Sequence, residues 1–253
     1  MTDRPQILVT NDDGINAPGI IALRSALLEV GNVTLIAPER PRSASGHAIT
    51  LHKPLRADLH LLPGGGQGYA TNGTPSDCVV LGVLALMKRC DLVISGINHG
   101  ANLGEDLTYS GTVSAAMEGA ICGIPSFAIS LMDTDTPDFS AAAAFAARLA
   151  RKLLTTKLPP DTLLNVNVPA VPQPQIKGIT ITRQGRRRYE GRVERRLDPR
   201  GRPYYWLGGE SIEDINGAGS DGEALQNNYI SITPLHLNLT ASGLAEELRG
   251  WEW

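Results

Sequence analysis

The chain has 253 residues, 42% of them hydrophobic, and a formal net charge of -3. That length and apolar content suffice for one sizeable core, with room for a small appended subdomain. The charge excludes a field that would gather nucleic acid or an anionic membrane, so an anionic ligand has to be captured locally.

The opening stretch MTDRPQILVTNDDG places acidic residues directly after its apolar run. Neither a signal-peptide core nor a spanning helix fits there, and no later apolar run is long enough to span a membrane. Residues 6–10 read as a buried strand that ends at the polar cluster Asn11-Asp12-Asp13-Gly14. Pro18 opens a helix over 19–30, Gly31 stops it, and 33–37 is a second buried strand, which makes a β-α-β unit. Gly64-Gly65-Gly66 marks a loop tip. Thr74-Pro75-Ser76-Asp77 has the form of an N-cap, a proline at the first helical position and an acidic third residue, ahead of an apolar helix over 78–88. A strand at 91–95, a helix at 112–122 stopped by Gly123, a strand at 126–130, an Ala-rich helix at 140–154 and a strand at 163–168 complete the alternation. Near-continuous apolar strands alternating with amphipathic helices predict an α/β fold, a Rossmann-like, doubly wound and mainly parallel sheet covered on both faces.

Past Arg183 the texture changes. Residues 186–202 are rich in Arg, interrupted by Glu190, Glu194 and Asp198, and lead through Pro199-Arg200-Gly201 to Tyr204-Tyr205-Trp206, which predicts a protruding β-hairpin. A solvated arm of mixed charge is its plain reading, a dimer contact or a positive gate for substrate its functional one. A strand at 229–233 and an exposed C-terminal extension bearing Trp251 and Trp253 follow. Residues 1–183 are therefore expected to form the α/β core, and 184–253 the arm, the returning strand and a tail whose two Trp residues suggest docking on a partner subunit. Cys78, Cys90 and Cys122 form no CxxC pair and lie in apolar stretches. They are expected to be reduced, buried thiols of a cytoplasmic protein, and none has the neighbouring base or helix-start position of a catalytic cysteine.

In open parallel sheets ligands bind beyond the carboxyl ends of the strands, so Asn11-Asp12-Asp13-Gly14, the loop 38–46 and Gly96-Ile97-Asn98-His99-Gly100 are the places to look. Adjacent carboxylates repel unless a cation lies between them, and hard oxygen ligands suit Mg²⁺, Mn²⁺ or Ca²⁺. The alternative is that one aspartate caps a helix while the other faces water. Ser43 and Asn98 offer neutral oxygens to complete a coordination sphere, and Ser110-Gly111-Thr112, just ahead of a helix, offers hydroxyls and N–H groups to a phosphate. Asn72-Gly73-Thr74 is a second glycine-bearing helix start that would border the same pocket. The haloacid-dehalogenase pair fails because Gly14 stands two positions after Asp12, and no P-loop or GxGxxG fingerprint occurs. Metal-assisted hydrolysis remains.

The blocks ILVTNDDGINAPGI, APERPRSASG, TNGTPSDCV, SGINHGANLGEDLTYSGTVSAAMEG and YISITPLHLNLT, in this order, resemble the SurE survival proteins, stationary-phase 5′/3′-nucleotidases. The resemblance implies a metal-dependent phosphomonoesterase of the 5′-nucleotidase class acting on nucleoside 5′- and 3′-monophosphates, with short polyphosphate left open. It implies one divalent metal per subunit, held by Asp12, Asp13, Ser43 and Asn98, with Asp12 and Asp13 catalytic. It further implies phosphate binding by Gly96, Asn98, Ser110, Gly111 and Thr112, and a homodimer or homotetramer with no nucleic-acid or membrane partner. The Gly-rich tip, residues 132–138 and the Arg-rich arm depart from the family pattern, which leaves substrate choice and assembly open. His99 is a weak candidate for the leaving-group acid, its plainer reading being a surface loop residue; a nucleotide or metal sensor without turnover is the competing class.

Overall fold

The first strand, β1 (Gln6–Thr10), is apolar without alternation because both of its faces are covered. Ile7 and Val9 enter one apolar layer and Leu8 the other, all at 0% exposure. The computed structural model describes residues 4–189, 192–208, 212–214 and 217–252. Across the nine-stranded sheet the order is β3 (Ala57–Leu61), β4 (Gln67–Thr71), β2 (Asn32–Pro38), β1, β5 (Leu92–His99), β6 (Ser126–Leu131), β7 (Thr162–Val168), β13 (Tyr229–His236) and β8 (Gly178–Ile181). The six strands from β4 to β7 are parallel. β3 on β4 and β13 on β7 are antiparallel, and β8 is parallel to β13. This is the Rossmann-like, mainly parallel sheet expected from the alternation of strands and helices.

Helices α1 (Pro18–Leu27) and α4 (Ser140–Leu153) pack on the face that receives Ile7 and Val9; α2 (Pro75–Leu81) and α3 (Gly111–Ile121) pack on the face that receives Leu8. The step β1–α1–β2 runs one way across the sheet and β6–α4–β7 the other, yet their helices share a face, so the two crossovers have opposite hand. The crossover through α3 steps in the same direction as the one through α4 and lies on the opposite face. Since β-α-β units are right-handed as a rule, β6–α4–β7 is the left-handed exception. The connection 132–139 that carries the chain to the other face passes the carboxyl end of β5, where Thr134 meets His99.

Several boundaries differ from the sequence reading for local reasons. The helix expected over 78–88 ends at Leu81 and continues as a π-helical turn, Gly82–Leu86. A Cβ on Gly82 would lie 2.1 Å from Leu8 Cδ1, so only glycine lets the chain rest this close on β1. The segment expected as a loop after residue 95 stays in the sheet to His99, with a register shift between Ser95 and Asn98; the Gly96–Ile97 peptide is cis. The glycine tip turns an edge hairpin, β3–β4, that lacks an apolar signature because one face is open to solvent. The predicted arm is the antiparallel pair β10 (Arg192–Leu197) and β11 (Pro203–Gly208), rooted on a shorter pair of β9 (Arg187–Tyr189) with β12 (Ile212–Asp214). Helices α5 (Asp221–Gln226) and α6 (Ser242–Arg249) were not expected; the exposed tail carries α6, which buries none of its residues. Glu190 and Trp253 lie outside the described residues. All three cysteines are free thiols, but only Cys78 is buried, its thiol pushed up to about 12 by burial; Cys90 and Cys122, at element ends, are half-buried.

Candidate active site

The chain leaves β1 toward β2 on one side and β5 toward β6 on the other, so a crevice opens between the carboxyl ends of β1 and β5. The turn after β1 is built by Asn11, fully buried, whose amide donates to Gly14 O at 3.0 Å and whose Oδ1 accepts from Gly14 N–H at 3.1 Å. That clamp presents Asp12 and Asp13 side by side. Two loops are stitched to it, since Arg42 N–H donates to Asp12 O at 2.7 Å and His99 N–H to Asp13 Oδ2 at 3.2 Å, and Gly46 N–H, donating to Tyr109 O at 3.0 Å, ties the first of them to the segment ahead of α3.

Asp12 is 6% exposed and sits against the N-terminus of α3, where its Oδ1 accepts the Thr112 hydroxyl. Burial pushes its carboxyl above the ordinary carboxylate value and the neighbouring Asp13 charge adds to this, while the Thr112 hydrogen bond opposes it. Burial likewise raises Asp13, against the His99 backbone N–H. No lysine or arginine among the described residues neutralises either one.

Asp12, Asp13, Ser43, Asn98 and Ser110 line one open cleft of about 680 Å³. The Asn98 amide nitrogen donates to Gly100 O at 2.7 Å, which assigns the other end of its side chain, Oδ1, as the oxygen available to a ligand. Ser110 caps α3 by accepting from Val113 N–H at 3.1 Å, so its own proton remains to be donated. Gly111 and Thr112 play supporting parts. A Cβ on Gly111 would lie 2.8 Å from both Asp12 Cβ and Ser45 Oγ, and the fully buried Thr112 hydroxyl is committed to Asp12. Gly96 lies beneath, where a Cβ would be 2.2 Å from Ile129 O. Asn72-Gly73-Thr74 is not among the residues lining the cleft; Thr74 instead closes a capping box with Asp77 on α2.

Sequence reasoning missed the residues that hold the far wall. Asn102, at the cleft, donates from its amide to Ser130 Oγ and from its backbone to Asn167 Oδ1, both at 2.8 Å, while its carbonyl accepts from Asn165 and Asn167. The signal was present as asparagines at alternate positions of an otherwise apolar strand, TLLNVNV. The wall continues through Asp106, which is paired with Arg187 at 2.6 Å at the root of the arm. Behind it, fully buried Asp221 accepts from Gly104, Gly185 and Gly222 N–H. His99 lines the cleft, but its Nε2 lies 3.0 Å from Thr134 O and 3.1 Å from Asp133 Oδ1, so its ring latches the connection 132–139.

Against known proteins, the family described as "Survival protein SurE" matches residues 7–191. The chain belongs to the SurE family. It is similar to proteins named 5′-nucleotidase SurE from Moorella thermoacetica, 55% identical over 97% of this chain and 95% of that one, and from Geobacter metallireducens, 50% identical over 98% of both. Among solved structures it is similar to the SurE protein from Aquifex aeolicus, with a TM-score of 0.83, 45% identity and coverage of 97% of this chain and 98% of that one. The SurE fold thus extends past residue 191 to the arm and tail of this chain.

Proposed function

We propose that the chain is a 5′-nucleotidase, a phosphomonoesterase of nucleoside 5′- and 3′-monophosphates, with one divalent cation per subunit held by Asp12, Asp13, Ser43 and Asn98. The observation that carries this reading is a pair of adjacent, desolvated carboxylates that no lysine or arginine among the described residues neutralises, at the sheet's switch point beside a helix N-terminus. The donors fit a hard cation, since two carboxylates are joined by two neutral oxygens in one cleft and, among the described residues, no group of three or more His, Cys, Asp or Glu is present. Ser45 Oγ, buried near Asp12 without a hydrogen-bond partner, fits a site shaped for a further polar ligand. Mg²⁺, Mn²⁺ and Ca²⁺ all suit such oxygens; a bound cation supplies Lewis-acid polarisation of phosphorus–oxygen bonds and a more acidic water.

The chain's own groups divide the remaining work. Thr112 fixes the orientation of Asp12, and Asp13 accepts a proton from the attacking water or orients it in line with the leaving ribose oxygen. Ser110 and the first N–H groups of α3 donate to phosphoryl oxygens as their charge grows.

No helix among the described residues is long and apolar enough to cross a membrane, and the free thiols favour the cytoplasm. Residues 184–253 serve assembly into a homodimer or homotetramer. In support, Val193, Leu197, Tyr205 and Trp206 of the arm are each more than half exposed, and α6 buries none of its residues.

The test is phosphate release from a panel of 5′- and 3′-nucleoside monophosphates and tripolyphosphate with Mg²⁺ or Mn²⁺, using wild type, Asp12→Asn and Asp13→Asn. The expected result is metal-dependent turnover stopped by chelator and lowered at least about a hundredfold in each variant. Wild type inert with every metal would leave a binding-only protein, and equal turnover in the variants would move the metal elsewhere.

A further inference from the structure

The cleft is larger than metal and phosphate require. At about 680 Å³ it has the size of a pocket for a whole small molecule, for which roughly 300–1,000 Å³ is usual. Beyond the phosphate end its lining includes Ala44, Ala101 and the phenol ring of Tyr109; the other ring at the cleft, the His99 imidazole, is tied to Thr134 and Asp133. Tyr109 is 64% exposed and takes no part in the core. Its backbone is nonetheless fixed on both sides, with the N–H donating to Asp106 O and the carbonyl accepting from Gly46 N–H, each at 3.0 Å. It directly precedes Ser110, so a phosphate at the start of α3 has the ring as its neighbour along the chain.

An exposed aromatic on a fixed backbone, beside a phosphate cradle and in a cleft with spare volume, is the arrangement that stacks a flat heterocycle. We propose that Tyr109 is the platform for the substrate's nucleobase, so that it selects nucleotides over phosphate monoesters that lack a base. This rests on the phosphomonoesterase reading above. Stacking uses the π-face that every base has, so Tyr109 favours nucleotides as a class without choosing strongly among bases. Binding of this kind acts alike on ground and transition states, so its loss raises KM and leaves kcat in place.

The experiment compares kcat and KM for AMP, CMP and glycerol 2-phosphate, with Mn²⁺, in the full chain and in Tyr109→Ala, Tyr109→Leu and Tyr109→Phe. Stacking of ordinary strength corresponds to roughly a five- to 150-fold change; the lower end, about tenfold in KM for both nucleotides, is expected of so open a ring. Tyr109→Ala and Tyr109→Leu should both show it, Tyr109→Phe should stay near wild type, and glycerol 2-phosphate should be turned over equally by all. Unchanged KM for AMP, or an equal loss on glycerol 2-phosphate, would overturn the inference while leaving the phosphatase intact. A wild type that releases phosphate from none of the three would remove both readings together.

Discussion

At Gly111 the backbone of α3 comes so close to Asp12 that a methyl group would stand 2.8 Å from its Cβ. Gly111→Ala should therefore displace the carboxylate, lowering divalent-ion affinity and turnover by at least about tenfold, for the roughly 1–3 kcal/mol of stability typical of an overpacked site. Calorimetric metal titration beside a thermal melt separates the two effects. Ser110 has both a structural and a chemical part, because its oxygen accepts from Val113 N–H while its proton is free to donate. Ser110→Ala should cost about 1 kcal/mol as a lost cap, and about 10²- to 10³-fold in kcat as a lost donor to the phosphoryl oxygens. A melt shift without the kinetic loss would confine Ser110 to capping.

Among the elements, α2 carries the most complete start signal. Thr74 accepts from Asp77 N–H at 3.1 Å and Asp77 Oδ2 accepts from Thr74 N–H at 2.8 Å, while Thr50 adds two further bonds to the same carboxylate. Burial by itself would raise the Asp77 carboxyl, but the bonds from Thr50 and Thr74 outweigh it and hold the group below its ordinary value. The carboxylate's contribution is thus present above its unfolded pKa, near 4, and is lost as pH falls through the lower folded value. Asp77→Ala should cost about 1–3 kcal/mol in urea unfolding at neutral pH, with the gap to wild type closing in acid; a gap independent of pH would remove the carboxylate from the account.

The whole molecule couples its site to solvent pH in the opposite sense. Asp12 and Asp13 are both raised, so without metal the folded state holds protons that the unfolded chain releases, and stability falls as pH climbs from their ordinary value through the raised ones. A bound divalent ion favours the ionised pair and should reverse that trend. Thermal melts from acid to neutral pH, with chelator and with Mn²⁺, should diverge progressively as pH rises; parallel curves would place the cation elsewhere. Assembly also belongs to this scale. Removing residues 186–206 should leave a smaller species by light scattering if the arm joins subunits, and an unchanged oligomer would end its role.

What the sequence determined by itself is the layering and the chemistry at strand ends. Apolar runs such as ILV in β1, ended by Asn-Asp-Asp-Gly and followed by a helix that opens at Pro18, specify a doubly covered parallel strand, because only that environment buries every side chain of the run. That Asp12, Asp13, Ser43 and Asn98 would meet in one cleft was legible because loops after such strands converge. Tertiary structure alone decided which face α4 covers, since hydrophobic periodicity carries no handedness across the sheet. It also decided that Thr112 serves Asp12, 100 positions away, and that buried asparagines of β7 hold the wall at Asn102. Those contacts depend on long-range register, and a polar residue in a strand has no local feature that names its partner.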